Sequence, residues 1–490
     1  MRTFRILYTS DIHGRLFGHR GEPGLDVIGA QFRKDGNTLI LDGGDLLQGG
    51  AEGAFFAQRK ERPHPAAALL NGLGYDAVTV GNHDLNYGLD YLEGYLEDLQ
   101  ASCLCANLRD RAGRLPITDS RIFRLVNGLR IGVVGLCTSA IPGWERAETV
   151  AALSIEPALS AARRALEALR GQCDVTVCLY HGGFEADLET GTVYETTGEN
   201  EGCRLCRALD FDLLLTGHQH IWEPGRLVGG TYVLQPGCFG QSYGEIEGVV
   251  PDEGPVRFTS RLRPAPVPEA EPAETPERAA IRRWKEELLC TLPEPLPVGD
   301  RVEMALHGSA LADRINEIQM EVTGAEISAT CLSSTAVGLP AAVRVDDVFR
   351  TYTSANTLCT VRCSGVDLRR ALEWTAEFLT WTGTGYQVDP RFRTPKLRLF
   401  HYDFYAGIDY KLDFRKPAGH RVVRLNFRGK EIRPEDSFVL CITNYRKAGG
   451  DGYDMFRSCE LLSADPTPVA EHMIRYFRRL GQQTDKTNLK

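Results

Sequence analysis

Asp11-Ile12-His13 opens a series of short clusters whose side chains can hold divalent cations. The others are Gly44-Asp45, Gly81-Asn82-His83-Asp84, His181-Gly182-Gly183 and Gly217-His218-Gln219-His220. Together they offer Asp11, His13, Asp45, Asn82, His181, His218 and His220 as ligands, with His83 beside them. Two divalent ions held about 3.5–4 Å apart activate a water, neutralise phosphoryl oxygens and stabilise a leaving oxygen. One carboxylate must bridge such a pair. Asp45, behind Gly43-Gly44, is the candidate, because glycine lets the backbone approach a site closely. The set contains no thiolate, which argues against a Cys-type structural zinc and for Mn, Zn, Fe or Co on oxygen and imidazole. Taken singly, each cluster also reads as a turn, a helix cap or a core histidine. In order, each behind an apolar run, they point together to a metal centre, and 5 of the 11 histidines fall inside them. His19, His64, His307, His401, His420 and His472 read as surface or core histidines.

Ligands so scattered need a scaffold that delivers them to one place. Strand-like runs cover 5–9, 38–41, 77–80, 129–135, 174–179, 212–215 and 231–235, with helical Ala/Leu/Arg-rich stretches between, most clearly 157–169. This alternation predicts a layered α/β domain, whose parallel strands bring their C-terminal ends to one rim. A Pro/Glu-rich connector begins at Pro264. A charged helix is expected from Pro276, at an N1 position, to about Leu289. From Asp300 the pattern is that of a second, α+β domain, with helices over 311–322 and 366–379 and strands over 358–363, 422–427 and 438–442. The expected organisation is residues 1–263, a linker with connecting helix over 264–299, and 300–490.

The chain has 490 residues and a net charge of −9. That balance is unsuited to nonspecific binding of nucleic acid or anionic lipid, but metal ions make a site locally positive for a phosphorylated small molecule. Neither a polynucleotide nor a membrane partner is expected. Too few apolar residues precede Asp11 for a secretory leader, and no stretch reaches the length of a membrane span, so a cytoplasmic protein is expected. The 14 cysteines are too sparse for a disulfide scaffold. Cys203-Arg204-Leu205-Cys206 has redox or zinc spacing, but it falls in an expected helix and reads as buried thiols, as do Cys103 and Cys105.

The ordered clusters resemble those of the calcineurin-like metallophosphoesterases. The resemblance places Asp11, His13, Asp45 and His220 on one ion and Asp45, Asn82, His181 and His218 on the other. It places His83 near the scissile phosphate, where an imidazole stabilises developing charge or protonates the leaving oxygen. In the 5′-nucleotidase members an Asp three residues later orients that histidine. Asn86 stands there in this chain, and Asp84 is the nearest acidic alternative. The stretch from Gly81 to Leu92 is similar to the branch of 2′,3′-cyclic-nucleotide 2′-phosphodiesterases with 3′-nucleotidase activity, and so are segments around Asn316, Asn356 and Gly407. In the resembling family, the segment matching Thr443–Tyr453 forms the nucleoside site. Tyr445 would then stack on a base, Asp451 would bind the sugar, and Asn356 would add a substrate contact. A second stacking aromatic is replaced by Ser354, although Tyr352, two residues away on a strand, would face the same way. Leu332–Thr335 stands where the family carries a Gly-rich segment.

The resemblance implies a two-metal phosphohydrolase acting on 2′,3′-cyclic nucleotides, on 3′- or 5′-mononucleotides, or on both. The alternatives are hydrolysis of another small phosphate ester or nucleotide sugar, and a non-catalytic nucleotide-binding protein.

Overall fold

The computed structural model describes residues 1–393 and 397–488. The chain forms two compact units, Met1–Ile281 and Arg282–Lys490.

Two sheets make the first unit. One is seven-stranded, in the order Arg257–Pro264, Ser242–Val250, Arg2–Thr9, Thr38–Asp42, Ala77–Val78, Ser102–Leu104, Ile117–Thr118. The other is six-stranded, in the order Trp222–Val228, Thr231–Pro236, Leu213–Thr216, Val175–His181, Arg130–Cys137, Ser120–Arg124. The central strands of both are parallel. Side chains alternate along these strands. Ile131, Val133, Val177, Leu179, Leu213 and Leu215 pack with Ile6, Tyr8, Leu39 and Leu41 of the other sheet. Their neighbours Val134, Leu136, Cys178 and Leu214 point the other way, into a second core with the helices Ala158–Leu169 and Gly202–Ala208. Runs that are apolar at every position are therefore strands buried on both faces. Cys203 and Cys206 lie in that second core, Cys103 and Cys105 are buried too, and every cysteine is a free thiol.

The second unit is built on a mixed five-stranded sheet in the order Asp403–Ala406, Ile327–Cys331, Ser437–Thr443, Thr357–Ser364, Glu460–Pro468. Only the Ile327–Cys331 and Ser437–Thr443 pair is parallel. The helix Ala310–Thr323 starts on a Ser309 cap and stops at Gly324, which takes a left-handed φ of 69°. A further helix, Gly365–Ala376, packs through Leu368, Ala371 and Leu372 onto Val361 and Leu440.

The charged helix begins at Pro276 as expected but ends at Lys285. Residues Leu288–Thr291 form a strand paired with Ala342–Arg344 instead of a last helical turn. That partner lies some fifty residues on, and tertiary pairing outweighs local propensity there. Likewise the helix expected to reach 379 stops at Ala376, and Leu379–Trp381 pairs with Tyr386–Val388. Among the described residues no helix is long and apolar enough to cross a membrane.

Candidate metal centre

Each cluster follows the C-terminal end of a parallel strand. Asp11 and Asp45 follow the paired ends Thr9 and Asp42. His181 ends its own strand, and His218 follows Thr216 on the neighbouring one. The chain turns sharply at each exit. Asp11, His13, Asp45, His218 and His220 all take a positive φ, between 51° and 69°. A non-glycine residue held there costs about 1–3 kcal/mol and persists only where its surroundings over-determine it. Here they do. Asp11 N–H donates to Gly44 O at 2.9 Å, His13 N–H to Asp45 O at 2.8 Å, and Phe239 N–H to Asp11 O at 2.7 Å. A Cβ on Gly81 would collide with the Asp45 carboxylate, so glycine is required there.

The turns bring the predicted ligands into two groups, Asp11/His13/His220 and Asp45/His181/His218, each with its donor atoms within 4.8 Å of one another. Asp45 Oδ2 lies 3.1 Å from His181 Nε2 and 3.9 Å from His13 Nε2, so it reaches both groups. That oxygen is buried and, among the described residues, faces these two imidazoles without a well-aligned hydrogen bond. Asn82 Oδ1 joins the second group, 2.9 Å from His218 Nδ1 and 3.2 Å from His181 Nε2. In the first, His13 Nε2 and His220 Nε2 face each other at 3.0 Å. A shared carboxylate, converging imidazoles and an amide oxygen without thiolate fit two divalent cations such as Mn, Zn, Fe or Co.

Electrostatics prepares the donors unequally. Burial opposes a charge on His181, but Asp45 and then Asp11 outweigh it and carry the ring to a pKa of about 10. Burial dominates at His13 and, with His220 and His83 beside it, outweighs Asp45, so that the ring is pushed down to about 3. Burial also disfavours ionised Asp11, yet His220 and His181 hold it at about 2. Asp45 is buried too and is held well below the ordinary carboxylate range, by His181 and then His83.

Outer contacts fix which nitrogen each ring presents. His181 Nδ1 is 2.7 Å from Gly43 O, and His13 Nδ1 is 3.0 Å from Gln48 O, which turns both Nε2 atoms inward. His218 is reversed: its Nε2 meets Glu199 Oε1 at 2.9 Å, and Trp144 stacks on the ring at 5.5 Å with 18° between planes. Asp84 does not orient His83. Its oxygens accept the backbone N–H groups of Gly81, Asp45, Leu46 and Leu47, so it clamps the ligand loop. The orienting contact comes from Asn86, whose Oδ1 is 2.8 Å from His83 Nδ1. Asn86 Nδ2 in turn donates to Glu145 Oε2 at 2.8 Å. Glu145, Glu199 and Trp144 carry no motif. Their one sequence signal is position, in loops that follow the strands leading to the site.

In the second unit Tyr445 follows the strand Ser437–Thr443, and a Cβ on Gly450 would run into its ring. Asp451, also at a positive φ of 56°, is half-buried, with its carboxylate side chain turned inward. Its oxygens meet His401 Nδ1 at 2.6 Å and an Arg398 nitrogen at 2.7 Å. His401, read from the sequence as a bland histidine, is thus the partner of a predicted site residue. Beside them Arg446 forms a buried ion pair with Asp403 at 2.8 Å. Asn356 is half-buried, its carbonyl accepting from Val469 N–H at 2.9 Å. Tyr352 does not offer a stacking face: it is 6% exposed, with its hydroxyl at Asn356 and Ser354.

Comparison with known proteins agrees with both halves. Residues 4–222 match the calcineurin-like phosphoesterase family, and residues 295–458 match the 5′-nucleotidase C-terminal domain. The 2′,3′-cyclic-nucleotide 2′-phosphodiesterase/3′-nucleotidase of Salmonella typhimurium is 23% identical over 91% of this chain and 81% of its own length. The trifunctional nucleotide phosphoesterase YfkN of Bacillus subtilis is 21% identical over 96% of this chain, which spans 37% of that longer protein. A Staphylococcus aureus structure described as a 5′-nucleotidase in complex with alpha-ketoglutarate is 28% identical with a TM-score of 0.89, covering 97% of this chain and 96% of its own. These matches, in this order along one chain, place it among the calcineurin-like phosphoesterases that carry a 5′-nucleotidase C-terminal domain, which are metal-dependent phosphoester hydrolases.

Proposed function

We propose that the protein hydrolyses nucleotides, with 2′,3′-cyclic nucleotides and 3′- or 5′-mononucleotides as substrates. The observation that carries this reading is Asp45, whose buried Oδ2 faces histidines of both ligand groups. Relatives named for cyclic phosphodiesterase and 3′-nucleotidase activity support the substrate class. Two divalent ions supply Lewis acidity and a water activated at neutral pH when bound. The chain's own residues do the rest. Asn82 and His83 bind the phosphoryl group, and His83, whose Nδ1–H is held by Asn86, takes up a proton from solvent at Nε2 and passes it to the leaving oxygen. Tyr445 supplies a stacking face for the base and Asn356 a polar contact. Asp451 reaches the sugar by exchanging its contact with Arg398.

Purified protein with Mn²⁺ should be assayed against 2′,3′-cyclic AMP, 3′-AMP, 5′-AMP and a chromogenic phosphodiester. Turnover of the nucleotides well above the chromogenic ester is expected, and turnover of the chromogenic ester alone refutes the nucleotide assignment. A second reading, hydrolysis of a different small phosphate ester, is favoured by the single stacking aromatic and the internally paired Asp451. The same panel extended to nucleotide sugars separates the two.

A further inference from the structure

Asn86 presents a chemical ambiguity to His83. A primary amide offers an acceptor oxygen on one side and a donor NH₂ on the other, and the two can be exchanged by a flip. The tautomer of His83 depends on which one meets Nδ1. An Asp at this position would leave no such choice, because an ionised carboxylate only accepts.

The loop Trp144–Arg146 resolves the ambiguity. Glu145 is 4% exposed in its side chain, and its Oε2 accepts from Asn86 Nδ2 at 2.8 Å. Only the NH₂ side of the amide can face a carboxylate favourably, so Oδ1 is left for His83 Nδ1, at 2.8 Å. Arg146 braces the arrangement from both ends. Its backbone N–H donates to Glu145 Oε1 at 2.8 Å, its Nε lies 3.5 Å from that oxygen, and its Nη2 donates to the carbonyl of Asn86 at 3.1 Å. The acceptor-only group stands one residue further from the imidazole than it would with Asp at position 86.

We infer that Glu145 is a positioning residue which, by fixing the Asn86 amide, locks His83 in the tautomer with its proton on Nδ1 and Nε2 turned to the reaction. Glu145 acts only through Asn86. The inference rests on the role given to His83 above, but it does not depend on the substrate being a nucleotide.

The test uses the full chain, loaded with Zn²⁺ and labelled with ¹⁵N-histidine, in mildly alkaline buffer where a neutral ring reports its tautomer. The His83 signals are identified by their loss in His83→Gln. Turnover of a chromogenic phosphate ester is measured alongside ion content and the unfolding midpoint. In the wild type, His83 is expected to be protonated at Nδ1. In Glu145→Gln, whose amide can donate or accept, the signals should shift toward a mixture, with kcat down about tenfold or more and KM and ion content held. Asn86→Asp sets two carboxylates face to face and should be impaired, whereas Asn86→Asp combined with Glu145→Gln restores an acceptor and should recover both tautomer and kcat. The inference is overturned if wild-type His83 carries its proton on Nε2, if Glu145→Gln changes neither tautomer nor kcat, if it loses ions in step with kcat, or if the double variant is no better than Glu145→Gln. Failure of the nucleotide panel alone leaves these readouts untouched.

Discussion

The carboxylate of Asp84 receives the main-chain N–H of Asp45 at 2.9 Å, and through this contact one acidic residue sets the backbone of another. Asp84 collects three further N–H groups, from Gly81, Leu46 and Leu47. Asp84→Asn turns an acceptor oxygen into an NH₂ that faces backbone donors. Hydrogen bonds to a charged group contribute about 1.5–3 kcal/mol each, so a loss on the order of 3 kcal/mol is expected. Chemical denaturation of the ion-free protein measures it. An unchanged midpoint would mean that the clamp contributes nothing.

Loading the site should release protons. His181 in the ion-free protein titrates at about 10, so near neutral pH its Nε2 holds a proton that a cation must displace. His13, at about 3, has none to give. Calorimetric titration with Zn²⁺ in buffers of different ionisation enthalpy should report a proton released from His181 near pH 7, with affinity rising as pH rises. The sign for stability is opposite. The folded pKa of His181 lies above its ordinary 6.5, so the stabilisation from its pairing in the ion-free protein is complete below that value and lost as pH rises toward 10. Zero proton release would show that His181 is already neutral.

His218 is held on two sides, by Glu199 at Nε2 and by Trp144 on its face. Removal of an outer contact to a ligating histidine typically costs about 10–100-fold in metal affinity. Glu199→Gln and Trp144→Ala should each weaken one ion of the pair in that range and leave the other in place. Competition with a chromogenic chelator reads both constants. Equal weakening of both ions in either variant would contradict a role confined to His218.

Tyr445→Ala tests the base contact. Stacking on an aromatic is worth about 1–3 kcal/mol and tolerates any base, so KM should rise roughly 5- to 150-fold for purine and pyrimidine substrates alike. The rate on a chromogenic ester without a base should stay within twofold. Loss on both substrates would assign Tyr445 to the fold.

The candidate ligand clusters are legible in the sequence because each is a short contiguous motif directly behind an apolar strand. Asp11 and Asp45 are neighbours in space because Thr9 and Asp42 are paired in parallel, and the motif order follows that delivery. Their supports were not legible. Glu199 precedes His218 by nineteen residues, and Glu145 follows Asn86 by fifty-nine, with no periodicity to announce either contact. Asp84 was visible as an acid near His83, but only geometry shows that its oxygens serve the backbone. Unbroken apolar runs mark the strands, whereas nothing local marks the helix end near Lys285, because the competing strand partner, Ala342–Arg344, is remote in the chain. Tyr352 shows the limit of alternation: it caps the end of the helix Val345–Thr351 and does not lie on a strand, and packing buries it.

The left-handed backbone at Asp11, His13, Asp45, His218 and His220 also bears on how such a centre can decay. That region of conformational space tolerates Asn, Asp, His and Gly and disfavours β-branched and bulky side chains. Most single codon changes at these positions are therefore penalised twice, once in ion binding and once in folding. A lineage that abandons hydrolysis would pass first through Asn at any of the five positions, or through Gly at Asp11 and Asp45, and a degenerate descendant would still display the turn geometry of its active ancestor.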